Sequence, residues 1–113
     1  MGDQEDGSSG VWVNDSGDGR LVVFVGGEMD IERAPMLRDA LHTAITQPGG
    51  PGEIVVDLAE LSFCDSAGLN ALIQARHTAQ EHGKHISLRA PRPQFLRLLA
   101  MTGTDTLFPI TDT

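Results

Sequence analysis

The stretch "SFCDSAGLNAL" (62–72) sets a thiol, a carboxylate and a hydroxyl side by side: Cys64, Asp65 and Ser66. They fall between an apolar, strand-like run and a helical pattern. Ser66 as a hydrolase nucleophile would need a glycine two residues earlier, where Cys64 stands, and no histidine occupies a position that suggests a base. Cys64 as a redox sensor would need a lowered pKa, whereas the neighbouring Asp65 carboxylate pushes it upward. A buried, inert thiol is therefore expected. For Ser66 two readings stay open. It can cap the helix, its Oγ accepting a backbone N–H for about 1 kcal/mol, or its hydroxyl can be the target of a modification. Asp65 is likewise either a turn former at the helix start or an acid that meets a partner.

The other polar groups assemble no chemistry. His77, His82 and His85 straddle a helix end and the strand after it, and His42 lies on the polar side of another helix. Zinc would need them brought together with cysteines or paired carboxylates. "NDSGDG" (14–19) imitates the start of a calcium loop, but the twelfth position is Val25 rather than Glu, so the segment reads as a turn. "GGPG" (49–52) follows a helix and lacks the Lys-Ser/Thr of a phosphate loop. The expectation is a protein without cofactor, metal or catalytic activity.

The elements that must position Asp65 and Ser66 are legible from periodicity. "VWV" (11–13) and "RLVVFVGG" (20–27) flank the turn cluster as a β-hairpin. The second of these is apolar on both faces and belongs inside a sheet covered on at least one side by helices. After "GGEMD", residues Leu37, Ala40, Leu41, Ala44 and Ile45 recur at the spacing of a half-buried helix. Pro35 fits its first turn and Pro48 stops it. "EIVVDL" (53–58) is a buried strand, which a right-handed crossover places parallel to "LVVFV". A second helix runs from about Ser66 to His82 and closes at Gly83. Its small side chains Ala67, Gly68, Ala71 and Ala75 form one flank, and Leu69, Leu72, Ile73 and Ala79 form another that can face the sheet. "HISLR" (85–89) gives a further parallel strand. "RPQFLRLLAMTG" (92–103) gives a short helix burying Phe95, Leu98 and Leu99, and "LFPI" (107–110) an edge strand. The result is a single α/β domain over residues 11–113: a mixed sheet of about five strands, with helices packed on it.

The totals agree. A chain of 113 residues is one domain, and 40% apolar residues suffice for one core. A net charge of −8 opposes phosphate contacts, so no nucleic-acid partner is expected. The lone cysteine rules out an internal disulfide and points to a reducing, cytoplasmic setting. The longest apolar run, "LVVFV", is far short of a membrane span. Residues 1–10, "MGDQEDGSSG", read as an acidic, disordered Gly/Ser tail. They are the reverse of a signal peptide, and Asp6 breaks a myristoylation motif.

Three segments carry a family resemblance: "GEMDIERAPMLRDAL", "IVVDLAELSFCDSAGLNAL" and "FLRLLAMTGTDTLFPI", in that order. They resemble the bacterial anti-sigma factor antagonists of the STAS domain family, over nearly everything from Val11 to Ile110. The "D-S-[SA]-G-L" segment is the most specific part, supported by "GE-x-D" and "M-x-G". The resemblance implies a phosphorylation switch with Ser66 as the acceptor. The unphosphorylated form would bind a serine kinase that doubles as the anti-sigma factor and so free a sigma factor. Phosphorylation would end the binding, and a metal-dependent serine phosphatase would reset it. A second serine often follows in that family; Ala67 stands here instead. By the same analogy the partner's surface would cover Asp30, Asp65, Ser66, Ala67, Gly68 and Leu69. A monomer or weak dimer is expected. The competing reading of another class is a STAS-like adaptor subunit of a transporter or signalling complex, with no phosphorylation. A third, a small α/β enzyme or nucleotide binder, lacks bases, phosphate loop and metal ligands.

Overall fold

The computed structural model describes residues 10–111. The tail expected at residues 1–10 lies outside them except for Gly10, which opens the first strand. In chain order the elements are β1 (Gly10–Asp15), β2 (Arg20–Met29), α1 (Ala34–Thr46), β3 (Glu53–Asp57), β4 (Leu61–Cys64), α2 (Ser66–Glu81), β5 (His85–Arg89), α3 (Pro93–Thr102) and β6 (Ile110–Thr111).

The sheet runs β1-β2-β3-β5-β6, with β1 antiparallel to β2 and the remaining neighbours parallel. Each parallel step, β2 to β3 to β5 to β6, moves in one direction and is made through one helix. Right-handed crossovers in a constant direction place all three helices on the same face. The core follows from this. Leu21, Val23, Val25, Ile54, Val56, Ile86 and Leu88 alternate along the strands and meet Leu37, Leu41, Ile45, Leu72, Phe95 and Leu99 from the helices. The expected apolar stripe of α1 is buried at Leu37, Leu41, Ala44 and Ile45, with Ala34 added. The other sheet face carries Trp12, Val22, Phe24, Val55, Asp57, Ser87 and Arg89, by the period of two along each strand.

The α/β expectation holds, with one strand more than expected. β2 does not end at Gly27. It shifts register between Gly27 and Glu28, bends there, and continues to Met29 beside the extra strand β4. Gly27 has φ +76, a conformation that glycine adopts without a Cβ penalty. Its N–H donates to the Glu60 carbonyl at 2.9 Å, and its own carbonyl accepts from Ser62 Oγ at 3.0 Å. The segment "GEMD" is thus mostly strand, and the turn begins at Asp30.

Helix ends follow the residues that the sequence offers. Pro93 begins α3 and Gly103, at φ +73, ends it. After α2, Gly83 lies at φ +69, and Lys84 N–H reaches back to the Ala79 carbonyl at 2.8 Å.

Candidate functional site

The site sits where the bent end of β2, the last residue of β4 and the first turn of α2 converge. Asp65 N–H donates to the Met29 carbonyl at 3.2 Å, which fastens the start of α2 to β2. Asp65 has extended backbone, φ −101 and ψ −173, and its carboxylate Oδ1 accepts from the N–H groups of Ala67 (2.9 Å) and Gly68 (3.2 Å). It is the helix cap.

The structure therefore corrects one of the two readings of Ser66. The hydroxyl does not cap the helix. Ser66 is the first helical residue, exposed, and its Oγ makes no hydrogen bond with the described residues. It opens onto a shallow recess with Ala67, Leu69, Asn70, Ile73, Thr102 and Thr104, so the end of α3 forms the far wall. An uncommitted hydroxyl at a helix N-terminus is accessible to an incoming enzyme; the helix dipole favours an added anion there, while Asp65 already holds the N–H groups of Ala67 and Gly68 and its charge opposes one.

Asp30, the other expected acid, lies at the same end of the sheet, one residue beyond Met29. Its Oδ1 accepts from the N–H of Glu32 (3.1 Å) and Arg33 (3.2 Å), and its carbonyl from Ala34 N–H (2.8 Å). It builds the turn into α1. Ala67 is half-buried, whereas Gly68 and Leu69 are buried. These two seat the helix. A Cβ on Gly68 would fall 2.7 Å from Cys64 Sγ and 2.9 Å from the Met29 carbonyl, distances that no methyl group tolerates. Glycine here lets the first turn of α2 lie directly on β2 and β4. The small flank of α2 is thus a packing feature. Ala71 and Ala75 are buried beside α1, and Ile73 packs against the core from its stripe while its partly exposed side also lines the Ser66 recess.

Cys64 is 1% exposed, and its thiol donates to the Asp65 carbonyl at 3.3 Å. Burial first, and then the Asp65 charge, push the thiol up to about 12, which removes thiolate chemistry near neutral pH. One residue that matters here had no signal in the sequence. Gln94, in the first turn of α3, accepts from Cys64 N–H through Oε1 and donates to the Cys64 carbonyl through Nε2, both at 3.0 Å. It ties α3 to the strand that delivers Asp65 and Ser66. Among the described residues no group of three His, Cys, Asp or Glu side chains is placed to hold a metal.

Residues 13–110 match the family described as "Mlab, STAS domain". This chain belongs to the STAS-domain anti-sigma factor antagonist family. Among its relatives, the anti-sigma F factor antagonist of Paenibacillus polymyxa is 32% identical over 94 residues, covering 83% of this chain and 80% of that protein. The anti-sigma-B factor antagonist of Listeria monocytogenes is 30% identical over 90 residues, covering 78% of this chain and 75% of the relative. The crystal structure of an anti-sigma factor antagonist from Mycobacterium paratuberculosis superposes with a TM-score of 0.78 at 31% identity, covering 91% of this chain and 85% of the other. Membership of that family makes this STAS domain a non-catalytic regulatory protein. No helix of the described residues is long and apolar enough to cross a membrane.

Proposed function

We propose that this STAS domain is an anti-sigma factor antagonist whose switch is phosphorylation of Ser66. Unphosphorylated, it binds an anti-sigma factor that is also a serine kinase. Once phosphorylated it is released, and a serine phosphatase restores it. The observation that carries this reading is the division of labour at the start of α2: Asp65 does all the capping, and the Ser66 hydroxyl is exposed and uncommitted.

The surroundings suit a switch made of charge alone. Ile31 (73% exposed), Phe63 (43%) and Met101 (76%) stand out on the β2–α1 turn, on β4 and at the end of α3, the three segments that frame the site. A partner packed on such side chains presents an apolar face. A phosphate brings about −1.5 to −2 charges. The domain itself tolerates them at the helix N-terminus, but an unpaired charge in the interface costs about 2–5 kcal/mol. Each 1.4 kcal/mol is about tenfold in affinity, so no refolding of the domain is needed.

The test is intact-mass measurement of the protein incubated with ATP and candidate anti-sigma kinases, alongside Ser66→Ala. The expected result is one added phosphate in the wild type, none in the variant, and kinase binding weakened at least about thirtyfold by the phosphate. Tight binding without phosphate transfer would replace the switch by a static adaptor. Phosphate on the Ser66→Ala protein would place the acceptor elsewhere.

A further inference from the structure

At the far end of α2 from Ser66, roughly 20 Å along the helix, the sheet edge between β5 and β6 stands open. His85 N–H donates to the Gly52 carbonyl at 3.0 Å, and the Arg89 carbonyl accepts from Leu58 N–H at 2.9 Å. Residues 85, 87 and 89 therefore turn their peptide groups toward β3, and Ile86 and Leu88 turn theirs toward β6. Leu88 N–H takes the Pro109 carbonyl at 2.9 Å. Two residues upstream, the same parallel ladder would join Ile86 N–H to the Leu107 carbonyl, and the Ile86 carbonyl to the N–H of residue 109. Neither bond forms. The Leu107 carbonyl accepts from Arg76 Nε instead, at 2.7 Å, and residue 109 is a proline with no N–H to give. Ile86 is only 5% exposed, and buried peptide groups are almost always paired. One donor and one acceptor are thus left over at a single residue.

Ile86 lines a recess of about 380 Å³ between the last turns of α2, the start of β5 and the loop before β6. Arg76, Lys84 and His85 line it too, and no Asp or Glu does, in a chain whose net charge is −8. Lys84 directs its ammonium to the Gln47 carbonyl at 3.5 Å and supplies field more than contact. Arg76 supplies contact. With Nε spent on Leu107, neither Nη group makes a hydrogen bond or ion pair with the described residues. That free end of the guanidinium suits a planar carboxylate. Ala79, Phe108 and Pro109 give the recess an apolar wall. Water meets the leftover peptide groups; only an anion also answers the guanidinium.

We propose that this recess binds an acylated amino-acid carboxylate, the chemistry of a peptide's C-terminal residue, at a site separate from Ser66. One carboxylate oxygen accepts from Ile86 N–H and the other from Arg76, while the ligand's amide N–H donates to the Ile86 carbonyl. The two peptide bonds are those of facing residues in an antiparallel ladder, so the ligand adds a strand one residue long. Its side chain, short and apolar, meets Ala79 and Pro109. A free acylated amino acid and the C-terminus of another protein share this chemistry.

The test titrates the isotope-labelled full chain with the tripeptide acetyl-Ala-Ala-Leu, with its C-terminal amide and with N-acetyl-leucine, following backbone amide signals. The expected result is saturable shifts centred on Gln80, Ile86 and Phe108, with Ala67 and Gly68 unmoved, and the amide weaker than the acid by about tenfold or more. Arg76→Gln, which keeps one donor for the Leu107 carbonyl, should weaken the acid by about tenfold as well. Pro109→Ala supplies the missing N–H and should weaken it about threefold, a second reading if Arg76→Gln unfolds. A tripeptide that binds more tightly than N-acetyl-leucine upholds the site as one for protein C-termini, and equal affinities uphold it as one for the free acid. Equal binding of acid and amide, no shift at Ile86 with any probe, or undiminished binding by folded Arg76→Gln protein overturns the proposal. Undiminished binding by Pro109→Ala overturns the role given to the Ile86 carbonyl.

Discussion

Two helices of this domain start after an acid that follows β-structure, and the two acids act differently. Asp30 stands four residues before α1 and spends its side chain on the N–H groups of Glu32 and Arg33, while the cap residue itself, Arg33, makes no side-chain cap bond. Asp65 is the cap of α2, accepts from the first free N–H groups of the helix, and is fixed through its own N–H to β2. The first arrangement makes a turn. The second makes a rigid platform whose next residue, Ser66, has nothing left to do for the fold. A residue free of structural duty can be modified without unfolding its host, which is what the proposed switch at Ser66 requires and an ordinary cap would not allow.

Variants break this comparison in a graded order. The largest loss is expected for Gly68→Val, since side-chain atoms would collide with Cys64 and the Met29 carbonyl; overpacking of this kind costs about 2–3 kcal/mol. A urea midpoint indistinguishable from wild type would show that the first turn of α2 is not seated as described. Next comes alkaline pH. The Cys64 thiol stands at about 12 in the fold, above its ordinary value of 9.0, so the fold favours the protonated form. That stabilisation is whole below about pH 9 and is lost as pH rises toward 12. Urea midpoints at pH 8 and pH 10.5 should fall further for wild type than for Cys64→Ala.

Smaller effects sharpen the contrast between the two acids. Asp65→Ala removes a true cap and should cost about 1–2 kcal/mol, while Asp65→Asn, which keeps the acceptor oxygen, recovers most of it. Asp30→Ala removes only turn bonds, and about 0.5–1 kcal/mol is expected. If thermal melts rank the two alanine variants in the opposite order, the division between turn and cap is wrong. Smallest of all, Ser66→Ala should change stability by less than about 0.5 kcal/mol. A loss above 1 kcal/mol would mean that Ser66 carries structural weight after all.

Much of the frame was legible in the residues. The stripe of α1, the hairpin around "NDSGDG" and the glycines after α2 and α3 rest on local periodicity and local backbone preference, which a sequence displays directly. β4 was not legible as a separate strand. "LSFC" is buried at its two ends and exposed in between, a pattern with neither the strand nor the helix period, and it exists as a strand because β2 bends to meet it. Ownership of the α2 cap was ambiguous for another reason. Asp and Ser are nearly equal caps, and only the backbone decides, extended at Asp65 and helical at Ser66. Gln94 had no local signature at all, because its partner lies 30 residues away.

Gln94 also settles a matter of solubility. β4 pairs with β2, and at Cys64 its other side would offer a bare peptide N–H and carbonyl, the template on which a stray strand from another molecule can add. The glutamine amide occupies both groups at once, as a neighbouring strand's peptide would. A single side chain thus stands in for a seventh strand. The edge nearest Ser66 is closed against strand addition while the serine itself stays open to the solvent.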